Sequence, residues 1–207
     1  RVNIKVPQQG LIRYDRDVIR KINEIDERIT FALVQHNQLL TAGQMAATLK
    51  IIPFFVPETS LQKIEDLVAN SPAFSFHPLR RARVALIQTR IDGQADRLFA
   101  ATENVTAARL DVLECDLVAS HICRHNRQEV AELITSCSRT GAEIILVCGG
   151  SAIIDRQDEL PQAVVMAGGA ITQLGLAVDP GNLLMFAEIG KMPVIGMPGC
   201  ARSPKLN

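Results

Sequence analysis

The chain has 207 residues, 47% hydrophobic and 21% charged, which is enough to bury one large core or two small ones and excludes an intrinsically disordered polymer. Lys+Arg and Asp+Glu balance at 22 each, so there is no general electrostatic drive toward nucleic acid or a membrane surface. Aromatics make up 4% of the chain, with no Trp, which argues against base-stacking platforms for single strands and leaves any anionic ligand to a local arrangement of donors.

The five cysteines, at 115, 123, 137, 148 and 200, are odd in number and lack any Cys-x-x-Cys pair. That pattern predicts reduced thiols and a cytoplasmic protein. Apolar runs stop well short of the roughly 20 residues that a spanning helix needs, and no signal peptide is visible. The chain opens on Arg1 and stops at Lys205-Leu206-Asn207, so we expect a portion of something longer.

Along the chain, the first section to about Pro78 has no alternating strand–helix rhythm. Leu11 to Tyr14 reads as a short strand, and Asp15 as the cap of a helix through Asn23 with Val18, Ile19 and Ile22 on one face. Ile29–Val34 and Ala46–Val56 read as strands separated by a turn at Thr41-Ala42-Gly43. Pro53 and Pro57 confine the second to an edge or end it. Ser60 is expected to cap a helix through Asn70, and Ser71-Pro72 and His77-Pro78 punctuate a boundary.

From Arg83 the rhythm becomes α/β. Val84 to Ile87 is a buried strand ending near Thr89, Gly93–Leu98 a loop, and Ala100–Leu113 a helix. Leu117–Ala119 is a short strand, and Arg127–Arg139 an amphipathic helix that Gly141 ends. Ile144–Cys148 is the central strand. Leu160–Ala167 is a helix with Pro161 in its first turn, stopped by Gly168-Gly169. Short strands are expected at Leu174–Val178, Leu183–Ala187 and Pro193–Gly196. Alternation of this kind implies parallel pairing with right-handed crossovers. The expected architecture is a three-layer α/β/α, mostly parallel domain over residues 80–207, preceded by a smaller mixed α+β region over 1–79.

The stretch from Ile144 to Ser203 carries the most chemistry. The apolar strand runs into Gly149-Gly150-Ser151, where consecutive N–H groups and a hydroxyl can meet an anion. The same residues suit a tight turn that needs small side chains. Asp155 and Asp158 follow; one can hold Mg²⁺ or orient a ligand while the other caps the helix at Leu160. Two further turns come at Asp179-Pro180-Gly181-Asn182 and Pro198-Gly199, the latter leading into Cys200-Ala201-Arg202-Ser203, whose Arg and Ser suit a phosphate or carboxylate. Both are also ordinary turn sequences. All three loops are expected to converge on one crevice. His121-Ile122-Cys123-Arg124-His125 has no second cluster of zinc spacing and reads as a loop with one partly buried His. Cys148 and Cys200 are explained by packing, and Arg80, Arg81 and Arg83 as a solvated linker.

The order of strand, Gly149-Gly150-Ser151, Asp155/Asp158, Pro161 and helix, then Pro180-Gly181-Asn182, then Pro198-Gly199, resembles the molybdopterin-binding domain of molybdenum-cofactor biosynthesis proteins. These are the MogA/MoaB-like adenylyltransferases and MoeA-like molybdenum insertases. Residues 197–207, with Asp26–Thr30, Thr41–Gln44 and Lys50–Pro53, resemble regions fused upstream of molybdenum-cofactor cytidylyl- or guanylyltransferases. The resemblance implies a molybdopterin or molybdenum-cofactor ligand held by Gly149, Gly150, Ser151, Pro180, Gly181, Asn182, Pro198, Gly199, Cys200, Arg202 and Ser203. It implies Asp155 and Asp158 as catalytic or Mg²⁺-holding groups. It also implies a nucleoside triphosphate, a fused or separate nucleotidyltransferase, molybdoenzyme recipients and a homo-oligomer, with neither nucleic acid nor membrane as partner. The family's Gly-Gly-Thr-Gly reads Gly149-Gly150-Ser151-Ala152 here, and its Gly-Asp/Ser-rich loop reads Arg90-Ile91-Asp92-Gly93. A transferase in its own right and a catalytically silent oligomerisation module are the alternatives.

Overall fold

The structure, a computed structural model, describes residues 1–69 and 71–205. Asn70, the expected helix end, and Leu206 and Asn207 lie outside the described residues. The chain divides into two compact units, one Arg1–Leu79 and the other from Arg80 onward.

The first unit contains β1 (Val2–Lys5), β2 (Gly10–Arg13), α1 (Arg16–Ile25), β3 (Ile29–Leu33), β4 (Leu39–Leu40), β5 (Met45–Ile51), α2 (Glu58–Ala69) and β6 (Ser75–Pro78). They form two three-stranded antiparallel sheets, β1-β5-β3 and β4-β2-β6. Asp15 caps α1 by accepting the Asp17 N–H at 2.8 Å. One face of α1 buries Val18 and Ile22 against Phe31 and Ala47. β5 is the central strand of its sheet and ends at Ile51, before Pro53 removes a ladder donor. Ser60 does not cap α2. It lies inside the helix, buried, and its hydroxyl donates to Asp26 Oδ2 at 2.7 Å. β1, β4 and β6 are absent from the sequence expectation because they are short and mostly exposed, and carry no run of buried alternation.

The second unit contains β7 (Arg83–Arg90), α3 (Asp96–Val112), β8 (Asp116–Arg124), α4 (Arg127–Arg139), β9 (Ile144–Cys148), α5 (Glu159–Met166), β10 (Ala170–Leu174), β11 (Met185–Ile189), β12 (Met192–Met197) and a 3-10 turn, Gly199–Arg202. Its six strands follow the order β10-β11-β12-β9-β7-β8. The β12–β9, β9–β7 and β7–β8 pairs are parallel, whereas β10–β11 and β11–β12 are antiparallel hairpin partners. The fold is α/β with a mostly parallel sheet between helical layers. The sheet is mostly parallel, as expected, and its antiparallel pairs are those of β11, because the connections on either side of it lack a crossover helix.

Strand alternation divides the layers. Ala85, Ile87, Ile145 and Val147 pack with Val130 and Ile134 of α4 and Leu160 and Val164 of α5. Val84, Ile144 and Leu146 turn to the opposite face, beside Thr106 and Leu110 of α3. β7 is buried from Val84 to Thr89 on both faces, which is why Val84 to Ile87 is a continuous apolar run.

Several boundaries differ from expectation. α3 begins at Asp96, inside the expected loop, and β8 continues through His121-Ile122-Cys123. The strand expected at Leu174–Val178 is instead Ala170–Leu174, and the residues up to Leu184 form a long loop. Arg80 and Arg81 are exposed and pair with Glu143 and Asp116, while Arg83 opens β7. No disulfide joins the five cysteines, and no helix among the described residues is long and apolar enough to cross a membrane.

Candidate functional site

β7, β8, β9 and β12 run in one direction, so their carboxyl ends meet along one edge. The crossover from β7 leads to β8 on one side, while β9 lies on the other, and the helices leaving them occupy opposite faces. A crevice at such a reversal of strand order is where open α/β sheets take ligands.

Gly149-Gly150-Ser151 leaves β9 at this point. A Cβ on Gly149 would meet Ser151 O at 2.6 Å and Leu160 Cδ1 at 2.9 Å, and one on Gly150 would meet Ile91 Cγ2 at 2.9 Å. Close packing therefore requires glycine at both positions. The Gly150 N–H donates to Thr89 Oγ1 at 2.7 Å, and Gln94 Nε2 reaches Gly150 O at 3.4 Å. Gly150 is thus already engaged by the end of β7. The N–H groups of Ser151 and Ala152 have no acceptor among the described residues, and both residues are exposed.

His125, at the carboxyl end of β8, stands between two hydroxyls. Its Nδ1 is 2.7 Å from Thr89 Oγ1 and its Nε2 is 2.8 Å from Ser151 Oγ. Burial pushes its pKa below the usual imidazole value, against the opposing pull of Glu159 and Asp158. Sequence reasoning places His125 in a loop and Thr89 at a strand end, and assigns neither to the site. The signal that could have found them is position, because each ends a parallel strand at the edge where ligands bind.

Asp155 and Asp158 shape the next loop. Asp158 Oδ2 accepts the N–H of Ile154 at 2.6 Å and of Asp155 at 3.0 Å, and these two bonds lower its pKa. Asp155 Oδ1 accepts the Gln157 N–H at 2.6 Å. Asp158 occupies the N-cap position of α5 without a side-chain capping bond, so its carboxylate faces backward into the loop. Among the described residues, no group of three His, Cys, Asp or Glu is placed to hold a metal. Two carboxylates turned to their own backbone do not form a Mg²⁺ site by themselves.

The two later turns share an open recess of about 290 Å³ lined by Arg109, Pro180, Gly181, Leu184, Met197, Pro198, Cys200 and Ala201. Asn182 closes the first turn from within, its carbonyl accepting the Leu176 N–H. Gly199 begins the 3-10 turn with nothing within 4 Å of a built Cβ. Arg109 holds the second turn by donating to the carbonyls of Ala201 and Ser203. Arg202 points inward. It donates to Thr102 Oγ1 at 2.9 Å, Gly149 O at 3.0 Å and Cys148 O at 3.3 Å. Two of the three expected loops therefore share a recess. The third, Gly149-Gly150-Ser151, joins Thr89 and His125, and Arg202 connects it to the rest. Burial raises the Cys148 thiol pKa, and raises that of Cys123 to about 11, so neither is an activated nucleophile.

No protein-family model matches the chain, and no curated protein matches it either. Solved structures similar to it include the MoeA molybdopterin biosynthesis protein from Pyrococcus horikosii, at 16% identity and a TM-score of 0.42, covering 84% of this chain. The chain spans 46% of that protein's length. Molybdenum cofactor biosynthesis protein B is similar at 14% identity and a TM-score of 0.46, over 60% of this chain and 84% of that one. The MoaB molybdopterin biosynthesis enzyme of Thermus thermophilus is similar at 18% identity and a TM-score of 0.42, over 59% of this chain and 82% of that one.

Proposed function

We propose that the C-terminal unit binds a phosphorylated pterin of the molybdopterin type and holds it for nucleotide transfer or molybdenum insertion in molybdenum-cofactor biosynthesis. The observation that carries this is the edge where β7 and β9 part. There an exposed Ser151 presents its hydroxyl and N–H beside the Ala152 N–H, a set of donors suited to a phosphate. The motif order from Gly149 to Gly199 supports the same ligand class. The phosphate sits at Ser151 and Ala152, and the pterin ring in the recess of Pro180, Gly181, Met197, Pro198 and Cys200. A fused or separate nucleotidyltransferase and molybdoenzyme recipients are its partners, in the cytoplasm.

The test is calorimetric titration of the purified chain with molybdopterin. We expect micromolar or tighter binding that weakens in Ser151→Ala and in Asp155→Ala. Unchanged binding in both variants rejects the proposal. Pyrophosphate release on adding a nucleoside triphosphate with cofactor present would make the chain a transferase as well as a holder.

A further inference from the structure

Three side chains, one from the end of β7 and two from the loops after β8 and β9, are joined by hydrogen bonds at this edge: Thr89, His125 and Ser151. Ser151 Oγ lies 2.8 Å from Nε2, and Thr89 Oγ1 lies 2.7 Å from Nδ1. With Nδ1 protonated, this would be a serine nucleophile beside its general base. With Nε2 protonated, the same atoms at the same distances make Ser151 a donor. One proton separates the two chemistries.

Thr89 determines which nitrogen carries it. The residue is 0% exposed. Its oxygen already accepts the Gly150 N–H, and among the described residues the acceptor within reach of its hydroxyl proton is His125 Nδ1. A buried hydroxyl proton without an acceptor is strongly disfavoured. Thr89 therefore donates, Nδ1 accepts, and a neutral imidazole carries its hydrogen on Nε2. The nearby carboxylates do not reverse this. Glu159 is paired with Arg127, and Asp158 is turned to two backbone N–H groups. Nε2–H then donates to Ser151 Oγ, which leaves the serine proton directed away from the ring, toward solvent.

We infer that Thr89 and His125 are positioning residues that hold Ser151 as a hydroxyl donor to an acceptor-only oxyanion, such as a phosphate monoester, and not as a nucleophile. The inference rests on the ligand proposal for the identity of the anion, and the relay itself is independent of it. Ser151 Oγ–H and the N–H groups of Ser151 and Ala152 then all donate, so the edge favours a fully ionised group over one that must itself donate.

The experiment uses the whole chain. Long-range ¹H–¹⁵N spectra of His125 at neutral pH should show the Nε2–H tautomer. An organofluorophosphonate, which labels activated serines by losing fluoride, should leave Ser151 unmodified. Titrated with inorganic phosphate, Thr89→Ser should bind as the parent does. Thr89→Val should lose roughly tenfold, the scale of one hydrogen bond to a charged group, and should admit the Nδ1–H tautomer. An Nδ1–H or doubly protonated ring in the parent chain, or labelling at Ser151, overturns the inference. If the parent chain binds no phosphate, the anion assignment falls, and the tautomer still reports the relay separately.

Discussion

The guanidinium of Arg202 donates to the main-chain oxygen of Gly149 at 3.0 Å, so the last turn of the chain supports the first residue of the glycine loop. Arg202 also reaches Cys148 O and Thr102 Oγ1, and so bridges α3 to the end of β9. An arginine that looks like a phosphate clamp in the sequence instead acts as an internal brace.

Arg202→Ala should therefore destabilise the C-terminal unit by about 2 kcal/mol, because it leaves two carbonyls and a hydroxyl without their charged donor. Chemical denaturation measures this directly. A variant that keeps full stability and loses only ligand affinity would return Arg202 to the role of phosphate contact.

The glycines should separate by packing. Gly149→Ala drives a Cβ to 2.6 Å from the Ser151 carbonyl, and backbone cannot swing aside as a side chain can. We expect a loss of about 2 kcal/mol, within the range for overpacking. Gly199→Ala meets nothing within 4 Å and should change stability by less than ~0.5 kcal/mol. If Gly199→Ala nevertheless weakens pterin binding, the ligand approaches the backbone at that position.

Asp155 and Asp158 should also separate. Asp158→Ala removes the acceptor for two loop N–H groups and should cost about 1 kcal/mol, while Asp158→Asn keeps an oxygen there and should lose less. Asp155→Ala removes one exposed bond and should leave stability within ~0.5 kcal/mol while lowering pterin affinity. Equal stability losses at the two positions would contradict this account of the loop.

Acid should weaken the N-terminal unit through Asp26. The Arg28 guanidinium, then the Ser60 hydroxyl, hold its carboxyl far below the usual carboxylate range. A depressed folded pKa means that the unfolded chain binds the proton first. The contribution is complete above the unfolded value of about 3.9 and is lost as pH falls toward the folded one. Asp26→Asn should be less stable than the parent at neutral pH, and the difference should shrink as pH drops below about 4. A difference independent of pH would show that Asp26 acts only through packing.

Much of the C-terminal unit is legible along the chain. The bounds of α4 and β9 are set by local features: the Asn126 cap, the 3.6-residue apolar spacing, the left-handed Gly141 and a five-residue apolar run. The loop after β10 departs from expectation because Leu174 to Val178 is apolar enough for a strand, yet no neighbouring strand pairs with it beyond Leu174. Pairing is non-local, and apolar composition does not reveal it. β11 illustrates the same point. Its residues suit a strand in either direction, and connections that carry no crossover helix made it antiparallel to both neighbours.

In the C-terminal unit, local sequence was enough to set the succession of elements and the small, flexible or acidic residues at their ends, because capping, helical periodicity and glycine conformation act over a few residues. Which partners those residues meet was decided in three dimensions. Folding turned Arg202 inward, closed Asp158 on its own loop, and brought Thr89, His125 and Ser151 into hydrogen-bond contact from positions 36 and 26 residues apart. Hydrogen-bond partners of that kind are chosen by where strands end in space, and that is set by sheet order and not by any local run of the chain.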